Sequence, residues 1–210
     1  IRGDGTADTK VHFAASSSTH NYSVVHIQSD YITLDSLIIE NTASSGYNYG
    51  VKVNKGAHHF HGTNSTFKSR NNGYSSGYSY SFATSDGTTF PSGDPTNANN
   101  FLIDNCVFDG GYYGAYFYGG SSSSGTWPSN NTITNCTFQN WYYYGVYTYY
   151  QNNMTIDRNT WNAANTGLQY DYSAMIYYTN NSTFTNNVFN ETGGYAMRFY
   201  YCNYYNTVSG

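Results

Sequence analysis

Charge is the first thing this chain lacks. Asp, Glu, Lys and Arg make up 10% of its 210 residues, against roughly a quarter in an average soluble domain. Eight basic residues face twelve acidic ones, for a net charge of −4. That leaves no basic footprint for nucleic acid or an anionic membrane. No apolar run approaches the ~20 residues that a transmembrane helix needs, and the first residues carry no signal-peptide pattern. Cysteine is sparse as well. Cys106, Cys136 and Cys202 form no C-x-x-C pair, and an odd count excludes a complete disulfide framework.

What the chain has instead is 26 tyrosines and 21 glycines, with only 3 prolines. The surface must therefore be built from Tyr, Asn, Ser, Thr and Gly. So many aromatic residues exclude a disordered chain. The length suits one domain with a sizeable core.

An internal repeat decides the fold. One motif reads Ile103-Asp-Asn-Cys-Val-Phe108, Ile133-Thr-Asn-Cys-Thr-Phe138, Ile156-Asp-Arg-Asn-Thr-Trp161 and Phe184-Thr-Asn-Asn-Val-Phe189. Weaker copies are Leu34-Asp-Ser-Leu-Ile-Ile39 and Gly62-Thr-Asn-Ser-Thr-Phe67, and another begins at Asn206. The closing apolar residues at 39, 67, 108, 138, 161 and 189 are separated by 28, 41, 30, 23 and 28 residues. The long step predicts a loop insertion around 85–99. A second motif precedes most copies: Tyr49-Gly-Val-Lys-Val53, Tyr113-Gly-Ala-Tyr-Phe117, Tyr144-Gly-Val-Tyr-Thr148, Tyr172-Ser-Ala-Met-Ile176 and Tyr195-Ala-Met-Arg-Phe199. Its period of two marks a half-buried strand. Val51/Val53, Ala115/Phe117, Val146/Thr148, Ala174/Ile176 and Met197/Phe199 are expected to point inward. Lys52, Tyr116, Tyr147, Met175 and Arg198 are expected outward, followed by Asn54, Tyr118, Tyr149, Tyr177 and Tyr200.

Two short strands per coil, with turns too short for crossover helices, predict an all-β parallel solenoid of six or seven coils. Equivalent residues then stack in columns at ~4.8 Å. Ser65, Cys106, Cys136, Asn159 and Asn187 form one inward column, where Asn side chains hydrogen-bond along the axis as a ladder.

On these motifs the chain resembles the right-handed parallel β-helix repeat family. More narrowly, Asn21-Tyr-Ser-Val-Val-His-Ile-Gln-Ser-Asp-Tyr-Ile-Thr-Leu-Asp35 and Gly111-Tyr-Tyr-Gly-Ala-Tyr-Phe-Tyr-Gly-Gly120 are similar to coils of very large secreted surface proteins of Bacteroidetes, often exported by the type IX route. The resemblance implies a single-stranded right-handed parallel β-helix over 1–210 at an extracellular or cell-surface location. It says little of activity, because lyases, hydrolases, adhesins and inert stalks share the fold.

The family's polysaccharide lyases carry clustered acidic Ca²⁺ ligands beside basic residues, and its polygalacturonases carry closely spaced aspartates with a His. Neither pattern is found here. Asp35, Asp104 and Asp157 share a turn column, but Thr63 and Thr134 stand between them. Asp104 and Asp157 are then ~10 Å apart, at the far end of the range for an inverting carboxylate pair. They read more simply as turn residues. No catalytic residue, metal ligand set or cofactor is assigned.

His58-His59-Phe60-His61 would project His59 and His61 outward if Phe60 points in, but no third ligand is evident. Cys106 and Cys136 lie one coil apart in a geometry poor for a disulfide. Arg2-Gly3-Asp4 spells an adhesion tripeptide that a glycine-rich turn produces by chance. Eight N-x-S/T sequons, including Asn21, Asn64, Asn130, Asn153, Asn181 and Asn190, are about what such a composition gives by chance. Asp35-Ser36-Leu37 resembles the short O-glycosylation sequon of Bacteroidetes and makes Ser36 a modification candidate.

The tyrosine columns carry the functional expectation. Tyr116, Tyr118, Tyr147, Tyr149, Tyr177 and Tyr200 combine an apolar ring with a hydroxyl suited to interfaces and sugar faces. The reading is a non-enzymatic extracellular structural or adhesive module, a segment of a stalk or filament; the alternative is a carbohydrate-active enzyme or a glycan-binding module. Ile1-Arg2-Gly3 and Asn206-Thr-Val-Ser-Gly210 show no polar cap. Self-association or further coils of the same chain are therefore expected at both ends.

Overall fold

The computed structural model describes residues 1–3, 9–14, 22–43, 48–54, 56–70, 79–84, 98–119, 127–163, 171–190 and 192–210. Among them are three parallel sheets of seven strands each. The first contains Thr33–Asp35, His61–Thr63, Leu102–Asp104, Thr132–Thr134, Thr155–Asp157, Thr183–Thr185 and Thr207–Ser209. The second contains Lys10–Phe13, Ile38–Asn41, Thr66–Lys68, Val107–Asp109, Thr137–Gln139, Thr160–Asn162 and Val188–Asn190. The third contains Tyr22–Ile27, Asn48–Val53, Ser79–Thr84, Tyr113–Tyr118, Tyr144–Asn152, Tyr172–Asn180 and Met197–Tyr200.

The chain visits the sheets in rotation, and every strand pairs with the equivalent strand one turn away. This is a parallel β-helix of seven coils with three strands per coil, not two. The motif ending at Phe108 or Phe138 holds two of those strands. A two-residue corner splits it, as at Asn105-Cys106 between Leu102–Asp104 and Val107–Asp109. Strands of three residues show too little alternation to be separated by period alone.

That corner explains the motif. Its first residue takes a left-handed backbone in six successive coils: Ser36, Asn64, Asn105, Asn135, Arg158 and Asn186, with φ between 50° and 58°. Asn enters this region more easily than most residues. The second residue then turns inward. Asn159 Oδ1 accepts the Cys136 N–H at 2.8 Å, and Asn187 Oδ1 accepts the Asn159 N–H at 3.0 Å. Ser65 Oγ accepts the Leu37 N–H at 3.1 Å, and Cys136 Sγ accepts the Cys106 N–H at 3.4 Å. Each inward side chain thereby satisfies a buried amide that the corner removes from the sheet ladder. Cys106 and Cys136 are buried free thiols, and burial pushes the Cys136 thiol well up.

A second ladder lies at the corner between the third and first sheets, and the sequence reading missed it. Asn131 Oδ1 accepts the Phe101 N–H at 3.0 Å. Ser182 Oγ accepts the Met154 N–H and Asn206 Oδ1 the Ser182 N–H, both at 2.9 Å. Here too a left-handed residue precedes: Asn130, Asn153 and Asn181 have φ of 60°, 51° and 52°.

The core is a stack of aromatic rings along the axis. Phe108 lies 4.5 Å from Phe138, Phe138 4.8 Å from Trp161, and Trp161 4.6 Å from Phe189, all near-parallel. Ile103, Ile133 and Ile156 fill the first sheet's inner column. The third sheet's inner columns run Val51, Phe82, Ala115, Val146, Ala174, Met197 and Val53, Thr84, Phe117, Thr148, Ile176, Phe199. Phe82 and Thr84 belong to a further copy of the tyrosine motif, at Ser79–Thr84, beyond those the sequence analysis names. Most of the expected insertion, 85–97, lies outside the described residues, as does Asn21. Ala98 packs in the core.

Candidate contact face

The outer side of the third sheet carries the tyrosines. One column runs Lys52, Ala83, Tyr116, Tyr147, Met175 and Arg198; the next runs Tyr118, Tyr149, Tyr177 and Tyr200. A further column, Tyr49, Tyr80, Tyr113, Tyr144, Tyr172 and Tyr195, lies on the same side. Strict alternation from Val51 would have turned it inward. The residue after the tyrosine is small and buried in the first five coils of the column, Gly50, Ser81, Gly114, Gly145 and Ser173, and the alternation breaks there. A Cβ on Gly114 would sit 2.5 Å from the Gly145 carbonyl oxygen, and one on Gly145 would sit 2.7 Å from Trp161 Cδ1. The backbone presses onto its neighbours there, and the preceding ring swings outward.

The rings stack face to face along the helix axis. From Tyr49 to Tyr195 the five successive centroid distances are 4.8, 5.2, 5.3, 5.4 and 5.4 Å, with interplanar angles of 17° or less. From Tyr118 to Tyr200 the distances are 5.4, 5.1 and 5.1 Å. Tyr150, Tyr178 and Tyr201 add a left-handed corner column, stacked at 4.5 and 5.1 Å. Within each coil the two corner rings meet edge to face: Tyr149 with Tyr150, Tyr177 with Tyr178, Tyr200 with Tyr201.

Exposure divides this array. Tyr116 points outward yet is only 4% exposed. It is enclosed by Tyr80, Tyr113, Tyr118 and Tyr147, so it offers no contact surface. Lys52 and Met175 are likewise buried. Tyr118, Tyr147, Tyr149 and Tyr177 are half-buried, and Tyr200 is exposed at the last coil. Burial pushes the Tyr149 phenol up to about 12, and Tyr118, Tyr147 and Tyr177 are raised for the same first cause. All remain neutral hydroxyls at ordinary pH. Because stacking occupies their faces, the half-buried rings show solvent their edges and hydroxyls.

The other candidates fall into structural places. Asp35 accepts from Asn64 Nδ2 at 2.9 Å and Thr63 Oγ1 at 3.1 Å and pairs with Arg2 at 3.1 Å. Asp157 accepts from Thr185 at 2.7 Å and Asn186 at 2.9 Å, and Asn135 Nδ2 donates to Asp104 at 2.7 Å. Hydrogen bonds from Asn64 and from Thr185 lead in holding Asp35 and Asp157, respectively, below the usual carboxylate range. An ionised carboxylate saturated by its neighbours is a poor general acid. Ser36 sits at the left-handed corner with its hydroxyl donated to Asp35 at 3.1 Å. Phe60 is in the core, His61 is exposed, and His59 stacks on Tyr31 at 4.5 Å. Among the described residues no group of three or more His, Cys, Asp or Glu is placed to hold a metal ion.

A buried carboxylate was absent from the sequence reading. Asp171 is fully buried and accepts the indole N–H of Trp141, while its Oδ2 has no partner in the structure. Burial pushes its carboxyl up to about 6. Nothing in the local sequence distinguishes Asp171 from a turn aspartate.

No curated protein matches the chain. Among solved structures it is similar to the A-module of the mannuronan C-5 epimerase AlgE6 of Azotobacter vinelandii, at 13% identity and a TM-score of 0.28. That match covers 90% of this chain and 57% of the module. The profile described as right handed beta helix region matches residues 95–210. With seven stacked three-strand coils and more than half its length matched, the chain belongs to the right-handed β-helix family.

Proposed function

We propose that this chain is a non-enzymatic structural or adhesive module of an extracellular or cell-surface protein, in the manner of the large secreted Bacteroidetes proteins its coils resemble. The tyrosine sheet is its contact face. The observation that carries this reading is the stacked array itself: half-buried, uncharged phenol edges repeat on successive coils at 5.1–5.4 Å. A partner with its own regular row of acceptors, protein or glycan, can hydrogen-bond to every coil without desolvating a charge. Sugar-face stacking is disfavoured on this array, because each ring face is already covered by the next coil.

The end coils supply a second contact. Tyr31 apart, the large apolar side chains exposed among the described residues lie in the first and last coils, among them Val11, Phe13, Val188, Phe199 and Val208. Unpaired strand edges beside exposed apolar side chains favour another set of coils, in the same chain or in a second molecule.

Two measurements test the reading. Incubation with pectin, alginate or xylan, with and without Ca²⁺, is expected to release no reducing ends and no unsaturated products. A product that disappears in Asp104→Asn or Asp157→Asn overturns the non-enzymatic assignment. Replacing Tyr118, Tyr149 and Tyr177 together by Ser is expected to preserve the fold and to lower self-association, measured by sedimentation, together with retention on a glycan array. Unchanged association and retention in the folded variant would remove the contact role.

A further inference from the structure

The tyrosine array is continuous from ring to ring. From Tyr49 to Tyr195 six phenol rings lie in unbroken van der Waals contact, through successive coils. Side contacts join this column to the rim. Tyr116 bridges Tyr80, at 5.7 Å, to the half-buried Tyr118, at 5.9 Å. The inner end of the network is closed to solvent, with Tyr49 at 3% and Tyr80 at 1% exposure, whereas Tyr195 is 54% exposed. Phenylalanine would pack as well in such columns, and the core of the same helix uses it, at Phe67, Phe108 and Phe138. What a phenol adds is an O–H bond that one-electron oxidants can break.

We propose that the tyrosine columns of the third sheet form a radical-hopping conduit, along which a tyrosyl radical made at the rim migrates between coils. The oxidant belongs to the class of one-electron acceptors, such as a high-valent metal complex. It removes one electron from a half-exposed phenol, whose O–H bond breaks and whose proton passes to water. In each later transfer a neighbouring phenol gives one electron and one proton to the phenoxyl radical. One O–H bond breaks and one forms, so only the position of the radical changes. Identical donors and acceptors make each transfer nearly thermoneutral, and ring contact supplies the electronic overlap. This activity is independent of the contact role proposed above, since it depends on ring-to-ring continuity and not on a partner.

The experiment places a trap at the closed end. Tyr49 is replaced by 3-aminotyrosine, which is easier to oxidise than tyrosine, and the rim is oxidised by flash-generated tris(bipyridyl)ruthenium(III) with persulfate as electron acceptor. Tyr49 is too deeply buried for direct attack by this bulky ion. The expected result is an aminotyrosyl radical at position 49, read by electron paramagnetic resonance. Tyr80→Phe, which keeps the ring and removes the oxidisable O–H, is expected to lower its yield at least tenfold. Total radical formed at the rim should stay unchanged, and a thermal melt confirms that the variant is folded. Absence of the trap radical in the parent overturns the proposal. So does an equal yield in the folded Tyr80→Phe protein, which would show that oxidation reaches position 49 by another route.

Discussion

Asn159 shows how much one inward side chain does in this helix. Its Oδ1 accepts the Cys136 N–H at 2.8 Å, its Nδ2 donates to the Ile133 carbonyl at 3.0 Å, and its own N–H donates to Asn187 at 3.0 Å. Leucine would fill a similar volume and leave the Cys136 N–H buried without its partner. Asn159→Leu is expected to cost ~1–3 kcal/mol for that abandoned group, read as a lower urea midpoint with an unchanged slope. Asp171 behaves in the opposite sense. Its carboxyl titrates at about 6 in the folded chain and near 3.9 when unfolded. Its ionised form therefore weighs against folding. That penalty is absent below the unfolded value, grows between the two and is complete above about 6. Asp171→Asn keeps an acceptor for Trp141 and removes the charge. Relative to the parent, the variant is expected to gain ~2–3 kcal/mol between pH 4 and pH 7.5, measured by urea unfolding at both pH values. A constant difference would show that Asp171 titrates normally.

At the scale of the element, the corners decide what could be read in advance. The tyrosine strands span five or six positions of clear alternation, so their inward and outward columns were legible. The first sheet's strands span three residues, and the left-handed corner beside them looked like part of one motif. The same corner generates sequons. Asn64-Ser-Thr66, Asn130-Asn-Thr132, Asn135-Cys-Thr137, Asn153-Met-Thr155 and Asn181-Ser-Thr183 each put a left-handed Asn before an inward residue and a strand-opening Thr. Their Nδ2 groups are already donated to Asp35, Asn100, Asp104, Asn130 and Asn152. Composition alone made these sequons look accidental; they are a product of the corner geometry. The second ladder escaped notice because Asn131 and Ser182 alternate with Phe101 and Met154 in one column, so no single residue type marks it. The direction of the Tyr49 column was hidden by the break in alternation at the small residue that follows each tyrosine. Gly145→Ala tests the close approach at one such break. Its Cβ would meet the Ser173 carbonyl oxygen at 2.6 Å and Trp161 at 2.7 Å. The expected loss is ~1–3 kcal/mol, with altered near-ultraviolet circular dichroism from the displaced indole. A neutral outcome would mean that the close approach is not needed to turn the tyrosines out.

For the whole molecule, each coil touches only its neighbours, so stability is a sum of coil and interface contributions. The interstrand hydrogen bonds and both side-chain ladders run along one axis. Tension applied along that axis loads the coil interfaces in series, and the weakest coil yields while the rest stay wound. A freed coil of 23–41 residues lengthens the chain by about 80–140 Å when fully extended. Single-molecule stretching from the two ends is expected to give a sawtooth of such increments rather than one cooperative rupture. A module built this way yields by lengthening before it breaks, a mechanical fuse wound from rows of asparagine and tyrosine.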